Sequence, residues 1–228
     1  FSRLGISTVA AGLAIATASG TANAVCNPGW QAATTGSNVG ASIRWLKMWD
    51  PDGAGPTAPV LVAAGDFNAG APAGTSSATN IATWDGSNWH DLAGGLDGPG
   101  YCLTSTSSDN NLFVCGASFA NAGGNSARRV ARWDGTTWNE VPSGTAIATV
   151  HIRGTSGSKV WAAKQNSEIW SWNGTKWAAS GAGVSGQRLW MTSDSDIWIS
   201  GSSYVYHYNG TSWMSSFSSS TSAVWSNS

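Results

Sequence analysis

At 228 residues the chain is long enough for one substantial core or one array of repeats. Only 10% of its residues are charged, against about 25% in an average soluble protein. Glycine (29 residues), serine and threonine take their place, as in a turn-rich β protein, and a formal charge of −1 with no basic block beyond Arg128, Arg129 and Arg132 excludes strong attraction to nucleic acid or to anionic membranes.

The first element in chain order reads as a secretory signal. Arg3 stands as the remnant of a basic region, residues 4–19 are apolar and small, and Ala22-Asn23-Ala24 supplies the small-x-small pattern that signal peptidase needs. The apolar run is too short and too rich in Ala, Gly and Thr for a membrane-spanning helix. Residues 1–24 are therefore expected to be removed, leaving an exported domain over residues 25–228 with no membrane span. Val25 stands where a lipobox needs a small residue before Cys26, which argues against a lipid anchor.

Beyond this segment one hexapeptide recurs: an aromatic residue, Asp or Asn, Gly, Ser or Thr, any residue, then Trp. The copies run from Trp84 to Trp89, Trp133 to Trp138, Trp172 to Trp177 and Tyr208 to Trp213, at spacings of 49, 39 and 36 residues. Such periods mean a repeated supersecondary unit. Asp-Gly or Asn-Gly between strand-like runs is a hairpin signal, because a tight reversal needs positive φ. With a two- or a four-residue loop, the two aromatics fall on one face of the hairpin, diagonally or directly opposite.

A second hairpin precedes each hexapeptide. Its turns lie at 50–53, 107–111, 156–158 and 193–195, and its second strand is apolar at 60–64, 112–114, 160–162 and 197–199. The units are thus four-stranded antiparallel meanders over 42–92, 101–141, 149–179 and 187–216. Repeated around a ring they make an all-β fold, a β-propeller. In that register Trp84, Trp89, Trp133, Trp138, Trp172, Trp177, Tyr208 and Trp213 are repeat-packing residues between blades. Trp45, Trp49 and Trp170 lie off register and are freer, though packing is the commoner role. Residues 223–228 resemble the first strand and turn of a fifth blade (compare Leu189 to Ser193), and residues 27–30 sit where an outermost strand would lie. The N-terminal strand is expected to complete the last blade, and the ring of this chain to be open and incomplete.

Cys102 and Cys115 lie on two apolar runs joined by a turn-like segment. A hairpin there brings them near each other across the strands, which leaves two readings: a disulfide, or two small buried thiols. Cys26 is left over.

The hexapeptides, with apolar strands that end in glycine at 61–65 and 112–116, resemble the kelch and galactose-oxidase-like propellers. The likeness is to the secreted bacterial repeat proteins whose units end in a Trp-Asp-Gly turn, and it spans about residue 30 to the C terminus. Only one glycine stands where kelch repeats have two, and the third and fourth units keep neither clearly. WD-repeats differ in placing Trp-Asp at a strand end after an upstream Gly-His. Sialidase Asp-boxes differ in separating Asp from Gly by one residue.

A central site in a propeller would show functional residues in one register. His90, His151 and His207 occupy three, so no metal centre is expected. Tyr101, Tyr204, Tyr206 and Tyr208 match no copper-ligand pattern, no nucleophile elbow or phosphate loop occurs, and no cofactor is implied. Asp85 and Asp134 are explained by their turns, and nothing selects a carboxylate pair for glycoside hydrolysis. One asymmetry points to a surface. The connection from second to third strand is long at 66–80 and 118–129 but short at 164–167 and 202–204. It reads either as a binding rim that uses Asp66, Asn68, Asn121, Asn125 and Arg128, or as loop structure with Phe67 and Phe119 tucked in as plugs. The expected function is a secreted, periplasmic or cell-surface module that presents this loop face to a protein or glycan, without a catalytic constellation. The alternatives are a polysaccharide-acting hydrolase or lyase with catalytic residues partly outside this chain, and an architectural module of a larger cell-surface protein.

Overall fold

The computed structural model describes residues 42–69, 78–86, 88–141, 149–164, 168–181, 184, 186–201 and 204–218. All belong to the compact unit Thr34–Ser228. The signal-like segment, Cys26, residues 27–30 and residues 223–228 lie outside the described residues. No helix among the described residues is long and apolar enough to cross a membrane.

Four antiparallel sheets follow one another along the chain. The first holds β1 (Ser42–Trp49), β2 (Val60–Ala69), β3 (Ala78–Trp84) and β4 (Trp89–Asp91), and the second β5 (Cys102–Ser105), β6 (Leu112–Cys115), β9 (Val130–Trp133) and β10 (Trp138–Glu140). The third holds β11 (Thr149–Ser156), β12 (Lys159–Lys164), β13 (Ile169–Trp172) and β14 (Trp177–Ala179). The fourth holds β15 (Arg188–Ser193), β16 (Asp196–Ser200), β17 (Tyr204–Tyr208) and β18 (Trp213–Ser218). Within each sheet the strands pair in chain order, so each is a meander. The first strands β1, β5, β11 and β15 contact one another in sequence, which puts them innermost and the fourth strands outermost. Sheets stacked face on face with first strands inside are the blades of a β-propeller.

The hexapeptide turns share one geometry. The glycines at 86, 135, 174 and 210 have φ between 91° and 100°, which a side chain would resist. The preceding Asp or Asn closes the turn by accepting a backbone N–H three residues on, as from Asn88 to Asp85 Oδ1 (2.8 Å) and from Thr137 to Asp134 Oδ1 (2.8 Å). The loop has four residues, so the aromatics stand directly opposite, Trp84 by Trp89 and Trp133 by Trp138. Their rings tilt together at 5.1–5.7 Å in all four blades.

The pairs of the second, third and fourth blades are each a knob on the previous blade, received by the middle of that blade's second strand. Trp133 and Trp138 share a core cluster with Val62, and Trp172 and Trp177 share one with Phe113. Tyr208 and Trp213 meet Trp161 at 5.3 and 5.8 Å. The core is therefore a series of interfaces between blades, and stability is a sum of neighbour terms. On the hexapeptide side, hydrogen bonds lace the inner turns together. Trp49 donates to Asn110 O (2.7 Å), Ser108 N–H to Thr155 O (3.2 Å) and the Thr155 hydroxyl to Asp194 (2.6 Å).

The structure corrects one expectation. Residues 66–80 were predicted to leave the sheet as a loop at Asp66, but β2 continues to Ala69, with Asn68 opposite Thr79 and Ala69 opposite Ala78 after a bulge. Asn80, at φ 61°, accepts the Phe67 N–H on its side-chain oxygen (3.1 Å) and donates from its amide to Leu96 O (3.0 Å). That side chain substitutes for the ladder bonds missing at the bulge. Likewise 118–129 carries its own hairpin, β7 (Asn121–Ala122) with β8 (Asn125–Ser126). Phe67 and Phe119 are both buried, Phe67 against Ala63, Ala78 and Ala82, Phe119 in the cluster between blades 1 and 2.

Candidate functional site

The end of the ring opposite the hexapeptide turns is where each first strand begins. One level of the ring is set by the last residue of each second-strand motif, Ala64, Cys115, Ala163 and Ser200. Their partners on the first strands are Trp45, Cys102, His151 and Arg188. One level further in stand Lys47, Thr104, Arg153 and Trp190. The four first strands carry four of the 11 Lys and Arg residues, at 44, 47, 153 and 188, and none of the 12 Asp and Glu residues. The propeller thus places four cations and no acid on the strands nearest its axis.

At the mouth, Arg44, Trp45, Tyr101, Gln187 and Arg188 line a cavity of about 330 Å³. The Arg44 guanidinium lies over the Tyr101 ring, 4.7 Å from its centroid. Arg153 lies 5.5 Å from the Trp45 ring, whose other neighbour is His151, edge-on at 5.0 Å. The rings hold the guanidiniums in place; Arg44 keeps its N–H edge free to donate, while Arg153 Nη1 donates to Ile152 O (3.5 Å). Among the described residues the ion pairs are His90–Asp85, Arg128–Glu140, Lys164–Glu168 and His207–Asp196, and none involves these four cations.

The electrostatics deeper in the channel follow from this crowding. Burial, and then the charge of Arg153, pushes the Lys47 amine below its usual range. Burial likewise lowers Arg153. His151 is lowered from 6.5 to about 3 by burial first and then by Arg153 and Arg188. Its Nδ1 accepts the Leu189 N–H (3.2 Å), so the neutral ring carries its proton on Nε2. Cations held near one another without a counter-charge are a receptor for an anion, which relieves their repulsion and takes up the Arg donors.

His151 also makes a stability prediction. Its charged form is disfavoured in the folded state, so between pH 6.5 and about 3 the unfolded chain binds more protons. The contribution is complete above 6.5 and is lost as pH falls, by up to about 1.4 kcal/mol per pH unit. Urea unfolding at stepped pH is expected to show this slope in the wild type. It should be shallower in His151→Gln, whose side-chain oxygen can still accept the Leu189 N–H.

The five rim residues are all exposed. Asp66 lies opposite Ser42 at the start of β1. Asn68 accepts from the Thr79 hydroxyl (3.2 Å). Asn121 donates to Asp97 (2.7 Å), and with Thr79 it lines a second cavity of about 420 Å³ between blades 1 and 2. Asn125 donates to Trp138 O (3.1 Å), and Arg128, at φ 42°, pairs with Glu140 (3.4 Å). The side chains of Asn68, Asn121, Asn125 and Arg128 thus each have a local partner, and of the five Asn121 lines that cavity. Cys102 and Cys115 are joined by a disulfide across β5 and β6, with Cα atoms 5.1 Å apart. Trp49 is buried, Trp45 and Trp170 are half-buried, and Lys164 lies over the Trp170 ring at 4.8 Å. His90 and His207 are each hydrogen-bonded to a nearby Asp. Among the described residues no group of three His, Cys, Asp or Glu side chains is placed to hold a metal ion.

The channel mouth was not found by reading the sequence, because its cations are spread over three of the four first strands, which share no motif. The available signal was a count: aligning the first strands on the hexapeptides shows cations and no acids at one radius.

No family model and no curated protein matches the chain. Among solved structures it is similar to one described as "YCF48 bound to D1 peptide", with a TM-score of 0.46 and 13% identity over 68% of this chain. The chain spans about half of that one, 49%. A likeness of this degree carries no inference about function, and the fold stands on strand order and register.

Proposed function

We propose that the chain is an exported binding module of the propeller type, whose channel mouth takes a carboxylate-bearing segment of a protein partner. The observation that carries this reading is the convergence of Arg44 and Arg188 with Tyr101 and Gln187 around one cavity, on strands without a single acid. Arg forks bind carboxylates bidentately. A sugar would need open aromatic faces to stack on. Here Arg44 covers Tyr101, and Arg153 and His151 lie against Trp45, which favours a peptide over a glycan. Export is supported by the signal-like residues 1–24 and by the Cys102–Cys115 bond, since disulfides persist in oxidising compartments. The kelch-like repeat character fits the same setting. Asp66, Asn68, Asn121, Asn125 and Arg128 belong to an outer rim on the same end of the ring.

The test is calorimetric titration of the folded chain with a Glu-rich peptide, its Gln counterpart, and oligogalacturonate. The Glu peptide is expected to bind, more weakly as salt is raised, and the Gln peptide not at all. Arg44→Gln and Arg188→Gln should each weaken binding by about tenfold or more, whereas Asn121→Ala should change it by less. Equal binding by the double variant would sink the reading. Preference for oligogalacturonate would move the partner to acidic glycans.

A further inference from the structure

The second cavity, of about 420 Å³, lies inside the junction of blades 1 and 2, so both of its walls belong to described blades. One wall is the connection from β4 to β5, at Gly94, Gly95, Leu96 and Asp97, and the other is the β7–β8 hairpin, at Asn121, Gly123 and Gly124. Thr79 of β3 completes the lining. The walls are short of side chains because the two segments touch. Ala93, Gly94 and Gly95 have φ of 50°, 85° and 71°, and Gly123 and Gly124, the two-residue turn of the hairpin, have 56° and 79°. A Cβ on Gly95 would stand 2.2 Å from Thr79 O, and one on Gly123 2.6 Å from Ala93 O. The Gly123 N–H donates to Gly95 O (2.8 Å) and the Asp97 N–H to Asn121 O (3.2 Å), which fixes one wall on the other. Packing thus accounts for the glycines. It does not account for the charge.

Among the lining side chains Asp97 is the one that ionises. Its Oδ1 accepts the N–H groups of Ala120 (2.8 Å) and Asn121 (2.9 Å), and its Oδ2 accepts from the Asn121 amide (2.7 Å). Burial raises its pKa, but these donors outweigh burial and hold the carboxyl below the usual carboxylate range. All three donors are neutral, and Asp97 takes part in none of the ion pairs among the described residues. A second acid stands behind the wall: Asp91 accepts the Gly94 N–H on Oδ2 (2.7 Å), and its Oδ1 is buried without a hydrogen-bond partner. The surrounding sequence offers no cation to compensate them. Residues 48–127 hold Asp at 50, 52, 66, 85, 91, 97 and 109 and neither Lys nor Arg, and their one His, His90, is bonded to Asp85. Arg128, the next cation along the chain, pairs with Glu140.

We infer that this groove is a second binding site, which takes a basic side chain, a Lys ammonium or an Arg guanidinium, from a protein partner. The positive group meets a carboxylate already fixed in place, and the glycine wall lets the aliphatic stem lie along bare backbone. A calcium ion fits less well, because it takes about six to eight oxygen ligands, and no three His, Cys, Asp or Glu side chains gather here among the described residues. A neutral sugar would leave the charge uncompensated, and no lining residue is aromatic to stack on it. The inference does not rest on the channel mouth, which takes the opposite charge.

The experiment is a titration of the ¹⁵N-labelled chain with the blocked tripeptide acetyl-Gly-Lys-Gly-amide, read at the amide resonances of Gly94, Gly95, Gly123 and Gly124. These four are expected to shift together and to saturate with a Kd of about 1–10 mM. The norleucine counterpart keeps the stem and lacks the charge, and should bind about tenfold more weakly or worse. The same loss is expected for Asp97→Asn with the Lys peptide, since its side-chain oxygen can still accept the Ala120 and Asn121 N–H groups. The inference is overturned if the four resonances stay still up to about 50 mM peptide, or if norleucine binds as well as Lys. It is overturned equally if Asp97→Asn, with its spectrum otherwise preserved, binds like the wild type, or if calcium chloride alone produces the same saturating shifts at lower concentration.

Discussion

Phe113→Ala is expected to cost about 3–5 kcal/mol of stability, a large part of what a domain of this size possesses. Phe113 is fully buried and receives Trp172 and Trp177, so truncation opens a cavity inside the junction of blades 2 and 3. Flanking strands cannot collapse into it, because their positions are set by the hydrogen bonds of two sheets. The matched control is Trp198→Ala, in the same register but half-exposed, for which the expected loss is about 1 kcal/mol. Urea titrations followed by tryptophan fluorescence check both, as a shift of midpoint at constant slope. Equal losses at the two positions would mean that the junction is not where the stability lies.

Replacing both cysteines, Cys102→Ala with Cys115→Ala, is expected to cost about 3 kcal/mol, the loop-closure entropy of a short loop. The two residues are 13 apart and face each other across β5 and β6, at the innermost edge of blade 2. Both side chains are fully buried, so a reductant should act only once the chain unfolds. Unfolding with and without dithiothreitol should therefore differ in the wild type and coincide in the double variant. Coincidence in the wild type would show that the bond adds nothing to stability.

Several features were legible in the sequence because their cause is local. The reversal at Asp85-Gly86 is encoded by one side-chain acceptor and one glycine, and four copies reveal it. The partnering of Trp84 with Trp89 follows from the turn. The inner hairpin turns and the apolar second strands fell where alternation and turn residues placed them. Asp66–Ala69 were expected to leave the sheet because Asp-Phe-Asn-Ala-Gly has the composition of a turn. What holds 66–69 and 78–80 as strand is Asn80, reaching Phe67 on one side and Leu96 on the other, together with the burial of Phe67. The bond to Leu96 spans 16 residues, and composition holds no record of it.

The site was hidden for the same reason at larger scale. Arg44 and Arg188 are 144 residues apart and become neighbours because the stacking of four successive blades turns the first strands toward one axis. By itself the sequence determined the blade: its four strands, its turn, and the aromatic pair that packs it against the preceding one. These depend on interactions a few residues long. Only the tertiary structure decided which charges meet at the channel mouth. That depends on the angle between blades, a property of packing surfaces that no single segment carries.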